Sequence, residues 1–259
     1  MWPLLLTVLL IEVRAGEHQG EIVGGNIAHP HSKPWMALLS REDNTLSKKP
    51  PVPICGGFLV HERYAMTAAH CSSTFHNIRV VLGVQNWEKP EPSWQIFDTV
   101  AHSFSNYNKR NYENDIVLLK LDRPATLNKY VQLLELPHKD EAIPEGTVCN
   151  VAGWGNITLD GNPSPDLREV NVTVLSNEHC QKDLELNDII IKTRLCAGVK
   201  GGVKGKDKDA SLLDSGGALV CNGVAEGIVS VGTPKSPPGF YTRICKYMKW
   251  YQSILNRAG

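Results

Sequence analysis

After Ile22 the chain is a succession of short apolar runs separated by turn-forming residues: PWMALLS, CGGFLV, RVVLG, DIVLLKL, TVCNVAG, EVNVTVL, GGALVC and VAEGIVSVG. Runs of about four to eight residues rich in Val, Ile and Leu read as strands, and so many of them point to an all-β barrel or sandwich. The tail differs. Tyr247, Trp250, Tyr251, Ile254 and Leu255 recur at the spacing of one helical face, which predicts a closing helix. Between Asn128 and Gly146 a stretch containing Pro137 and Pro144 is placed to connect two strand-rich halves. Gly198 to Lys208, GVKGGVKGKDK, is biased toward Gly and Lys and is expected to form an exposed, mobile loop.

The apolar stretch Trp2 to Ile11 within MWPLLLTVLLIEVRA is shorter than the roughly 20 residues that cross a bilayer. Val13 and Ala15 have the spacing of a signal-peptide cleavage site, so residues 1–15 are expected to be a secretory signal. No later run is long enough to span a membrane, and a secreted or granule protein is the expectation. The seven cysteines fit that compartment as disulfide partners, their odd number leaving at least one unpaired within the chain. Asn156 and Asn171 each begin an Asn-X-Thr glycosylation signal.

A chain starting at Ile22 carries 26 basic against 24 acidic groups, a net of +2. Net charge therefore gives no indication of nucleic acid as a partner. The HPH at 29–31 has no companion set of ligands, so neither a metal nor another cofactor is expected.

Three separated segments carry chemistry. MTAAHCSS places His70 after a strand and beside Cys71, YENDIVLLKL places Asp115 at the start of a strand, and LLDSGGAL holds Ser215. Acyl transfer needs these three types together: a hydroxyl to attack, an imidazole to take and return its proton, and a carboxylate to fix the imidazole's tautomer.

Together with IVGG at Ile22, VAGWG at Val151, GIVSVG at Gly227 and FYTR at Phe240, in that order, these segments resemble the chymotrypsin-like, trypsin-fold serine proteases. PHSKPWMALL, CGGFLV and LVCNGVAEGIVSVG are most similar to the granzyme and mast-cell protease branch. The resemblance implies two six-stranded antiparallel β-barrels with a C-terminal helix and an active site between the barrels. It makes residues 22–259 the peptidase domain, His70 the general base, Asp115 its orienter and Ser215 the nucleophile. It also implies bridges Cys55 to Cys71, Cys149 to Cys221 and Cys180 to Cys196. Cys245 is left over, and a buried inert thiol is the reading for it.

In such proteases, cleavage before IVGG frees an α-ammonium that pairs with the acid preceding the nucleophile, here Ile22 with Asp214. Residues 16–21 are then an activation propeptide. Glu21 before the cut argues against a trypsin-like activator, and Gly16 to Glu21, three dipeptides, resembles the granule-protease propeptides that a dipeptidyl peptidase trims, which implies such a peptidase as the activator. The base of the primary pocket falls on Asp209, with Ser230, Gly232 and Gly239 in its walls, which implies cleavage after Lys or Arg. Protein or peptide substrates and protease inhibitors are the implied partners, and a monomer is the expected state.

The sequence departs from the family pattern at Leu213. The backbone N–H groups of residues 213 and 215 are the expected oxyanion hole, where the family has glycine and this chain has leucine. Val231 likewise replaces an aromatic of the substrate cleft. Two readings stand: a serine endopeptidase, or a catalytically impaired homologue that acts by binding.

Overall fold

A computed structural model describes residues 25–41, 51–74, 77–104, 106–155, 163–176, 192–198, 214–233 and 236–258; the side chains of 231–233, 236–238 and 258 are outside that description. Among the described residues there are thirteen strands: β1 (Asn26–Ile27), β2 (Met36–Arg41), β3 (Pro53–His61), β4 (Tyr64–Thr67), β5 (Ile78–Leu82), β6 (Gln95–Ser103), β7 (Val117–Leu121), β8 (Val148–Gly153), β9 (Arg168–Leu175), β10 (Arg194–Gly198), β11 (Ala218–Cys221), β12 (Val224–Thr233) and β13 (Ser236–Arg243).

These strands make two antiparallel barrels. β2, β3, β4, β7, β6 and β5 close the first. The second runs β9, β10, β13, β12, β11, β8 and closes where β8 pairs with β9, while β1 adds to the edge of β9. The apolar runs read from the sequence correspond to β2, β3, β5, β7, β8, β9, β11 and β12, and the stretch 128–146 does connect β7 of the first barrel to β8 of the second.

Burial follows the two-residue period of a pleated strand. In β9, Val170, Val172 and Val174 face the core while Asn171 is exposed between them. The second barrel's core gathers Val151, Val172, Leu219, Val229 and Tyr241, and the first packs Leu39, Phe58, Met66, Leu82 and Leu119. A third cluster joins Met36, Leu38 and Val81 from one barrel to Ala152, Trp154 and Leu167 from the other, so the two halves share an apolar seam. Burying such side chains contributes roughly 1.5–3 kcal/mol each.

The closing helix spans Met248–Ala258, after a single 3-10 turn at Ile244–Tyr247. Although it follows the second barrel, its apolar face packs on the first: Phe104 meets Tyr247 and Trp250 edge-on at 5.1 and 5.7 Å, and the Tyr251 hydroxyl donates to the Val60 carbonyl at 3.2 Å. The helix thus straps one barrel to the other.

Two of the expected disulfides, Cys55 to Cys71 and Cys149 to Cys221, are formed. Cys196 is also in a disulfide, and its expected partner, Cys180, lies outside the described residues. Cys245 is free and buried, its thiol donating to Asp140 Oδ1 at 3.2 Å; burial, aided by that hydrogen bond, pushes its pKa up to about 11.

Candidate active site

Each of the three residues expected to do chemistry is carried by a different element. His70 sits in a short helix, Ala69–Thr74, directly after β4. Asp115 lies just before β7, and Ser215 is on the turn that leads into β11.

Asp115 is completely buried. Its Oδ1 accepts the main-chain N–H of His70 at 2.8 Å, and its Oδ2 accepts both His70 Nδ1 at 2.8 Å and the Ser230 hydroxyl at 2.6 Å. The Thr242 hydroxyl donates to its carbonyl oxygen at 2.9 Å. A buried carboxylate is tolerable only when its lone pairs are filled. Three donors converge on this one, drawn from both barrels. With Nδ1 donating, the imidazole presents Nε2 as its free acceptor, the form a general base needs.

Ser215 is held against the same region through its main chain. Its carbonyl accepts the Gly56 N–H at 2.9 Å and lies 3.7 Å from the sulfur of Cys71, the chain neighbour of His70. The following Gly216 has φ +87°, and a Cβ there would overlap the Thr67 hydroxyl and the Gly56 carbonyl, so the turn that presents Ser215 requires glycine.

Asp214 is 1% exposed. Its Oδ1 accepts the Gly155 N–H at 2.9 Å, and its carbonyl accepts the Gly217 N–H at 2.9 Å. Gly153 and Gly155 flank the carboxylate so closely that a Cβ on either would overlap its oxygens. This gives VAGWG a physical meaning: glycines to admit the acid, and Trp154 to seal the seam. Ile22, the expected partner of Asp214, is outside the described residues, as are Leu213, Asp209, Asn156 and the 199–213 stretch that includes most of the Gly/Lys-rich loop.

Of the expected pocket residues, Gly232 lies in β12 and Gly239 is buried in β13 opposite Ala197 of β10. Ser230, expected in the pocket wall, turns its hydroxyl to Asp115. Sequence reasoning did not anticipate that link, nor Thr242, nor Tyr112, whose ring stands edge-on to His70 at 5.7 Å. It also passed over Arg194, 4% exposed at the start of β10. The only signal available was an arginine opening an otherwise apolar strand, RLCAG.

Cys55, Cys71 and His70 bring ligand-type atoms within 4.8 Å of one another, but the two sulfurs are bonded to each other and are not thiolate donors. No helix among the described residues is long and apolar enough to cross a membrane.

The comparisons with known proteins agree with the two-barrel fold. The family profile named Trypsin matches residues 22–251. The chain is 38% identical to granzyme B(G,H) of Mus musculus, with 98% of this chain and 99% of the relative covered, and 39% identical to granzyme B of Homo sapiens, with 98% of each covered. Among solved structures, GrC superposes with a TM-score of 0.78 at 33% identity, covering 90% of this chain and 99% of that one. Human heparin binding protein superposes at 0.77 and 32% identity, with 91% and 97% covered. The chain belongs to the trypsin family, among its granzyme and mast-cell protease relatives.

Proposed function

We propose that this protein is a serine endopeptidase in which Ser215 attacks the scissile carbonyl, His70 takes and returns the proton, and Asp115 holds the imidazole in its productive tautomer. The observation that carries the reading is the His70–Asp115 pair: two hydrogen bonds at 2.8 Å onto a fully buried carboxylate, beside a glycine-dependent turn bearing Ser215. A decayed catalyst has no need of that arrangement. The oxyanion hole is assigned to the N–H groups of Leu213 and Ser215, and losing one such donor costs about 100-fold to 1,000-fold in turnover.

The chain is made with a signal over 1–15 and a propeptide over 16–21, exported to the cell exterior or to a secretory granule, and activated when Ile22 becomes the N-terminus and pairs with Asp214. Support comes from the slot that Gly153 and Gly155 form around the buried carboxylate of Asp214, the residue next to Ser215 in the chain. Asn171 is exposed on β9, as a glycosylation site must be. Asp209 at the pocket base, with Gly232 and Gly239 leaving the shaft open, directs cleavage after Lys or Arg.

A second reading, a homologue with impaired catalysis that acts by binding, is favoured by Leu213 and by the likeness to a structure named for a ligand, human heparin binding protein. The two are separated by assaying protein that begins at Ile22 on a library of peptides varied at the residue before the cut. Cleavage concentrated after Lys and Arg is expected. Cleavage after another residue type overturns the pocket assignment, and no cleavage by folded protein favours the binding reading.

A further inference from the structure

Where the two barrels meet, a fully buried threonine of the first barrel touches the turn that presents Ser215. Thr67 ends β4, three residues ahead of His70, and its hydroxyl donates to the Gly56 carbonyl at 2.7 Å. The N–H of the same Gly56 donates to the Ser215 carbonyl at 2.9 Å. From the other side Gly216 comes so close to Thr67 that a Cβ on it would overlap the hydroxyl. Thr67 thus stands between β3 and the residue that follows the nucleophile. A hydroxyl fits this place and a methyl does not, because a carbon keeps about 3.3–3.6 Å from a carbonyl oxygen. The same two segments also hold the imidazole: the Cys55–Cys71 disulfide joins the chain neighbour of Gly56 to the chain neighbour of His70.

We propose that Thr67 is a positioning residue for the nucleophile: its hydroxyl fixes Gly56, and through Gly56 and the contact with Gly216 it sets the height of the Ser215 turn against His70. This rests on the serine protease reading. Ser215 belongs to the second barrel and His70 to the first, so their separation depends on how the barrels meet at this point. Removing the hydroxyl leaves the Gly56 carbonyl without its donor in a buried place, which is unfavourable, and lets the strand edge shift. A displacement of the order of 1 Å between reacting groups costs about 100-fold in rate even when the change lies away from the chemistry.

The test compares Thr67→Val, Thr67→Ala and Thr67→Ser with the parent, each starting at Ile22. Val keeps the shape but puts a methyl where the hydroxyl was, and Ala serves if the Val variant does not fold. Two readouts are taken well below the unfolding midpoint: the rate of labelling by a fluorophosphonate, and hydrogen exchange at the Gly56 amide. We expect the Val and Ala variants to label about 10- to 100-fold more slowly. Their Gly56 amide is expected to exchange at least about tenfold faster, while the Leu167 amide, bonded to the Gln85 carbonyl outside this contact, keeps its rate. The Ser variant, which retains the hydroxyl, is expected to match the parent in both readouts. Parental labelling and exchange in the Val and Ala variants overturn the proposal, and so does a Ser variant as slow as Ala. Exchange needs no turnover, so faster Gly56 exchange in protein that never labels contradicts the serine protease reading and leaves Thr67's role in holding the turn standing.

Discussion

His70 donates twice to Asp115, from its main-chain N–H to Oδ1 and from ring Nδ1 to Oδ2, each at 2.8 Å. The double contact fixes both the position and the tautomer of the imidazole. Replacing the carboxylate by an amide offers a donor where an acceptor is needed, and in the serine protease template the wrong tautomer lowers turnover by about 10⁴-fold. For Asp115→Asn we expect a loss of about 10³- to 10⁴-fold in the labelling rate of Ser215, with an unchanged far-UV circular dichroism spectrum. A variant that labels at the parental rate removes Asp115 from the mechanism.

Gly153 and Gly155 leave no room for a side chain beside the Asp214 carboxylate. Gly153→Ala must displace either the strand or the acid next to Ser215. Overpacking of this kind costs about 1–3 kcal/mol, so the denaturation midpoint is expected to fall and Ser215 labelling to slow with it. Parental stability and labelling together would show that the slot has no part in holding Asp214.

Glu226 is partly buried in β12, and desolvation raises its pKa above the ordinary glutamate value, with Arg243 opposing weakly. A raised folded-state value means that the ionised form is disfavoured by the fold. The penalty is present at neutral pH and vanishes as pH falls below the unfolded value. Glu226→Gln is expected to raise Tm by about one to a few degrees at pH 7 and to leave it unchanged near pH 3.5. An equal gain at both pH values would assign the effect to something other than charge.

Burial raises the Cys245 thiol to about 11, so almost none is thiolate at neutral pH. Iodoacetamide at pH 7.5 is expected to leave it unmodified in the native protein and to alkylate it after denaturation, as intact mass shows. Rapid native modification would mean that the thiol is exposed and available for pairing.

Strands with a dense apolar pattern were legible in the sequence because hydrophobic burial alone selects them. Those missed lack that signal. β6, QIFDTVAHS, puts only Phe97 fully in the core; β13, SPPGFYTR, carries adjacent prolines; and β10 opens with Arg194. At the site, His70, Asp115 and Ser215 stand in recognisable local patterns. The hydroxyls of Ser230 and Thr242 meet Asp115 only because β12 and β13 of one barrel pass under a residue of the other, a contact spanning more than a hundred residues that no local pattern encodes. The meaning of VAGWG likewise depends on Asp214 arriving from elsewhere in the chain.

The most direct measurement is active-site labelling with a fluorophosphonate, on protein produced with Ile22 as its free N-terminus and Ser215→Ala as control. We expect covalent labelling of one serine that is absent from the control, which would mean that the N–H groups at Leu213 and Ser215 still stabilise an oxyanion. Absence of labelling from protein shown to be folded would contradict the endopeptidase reading and leave the binding role.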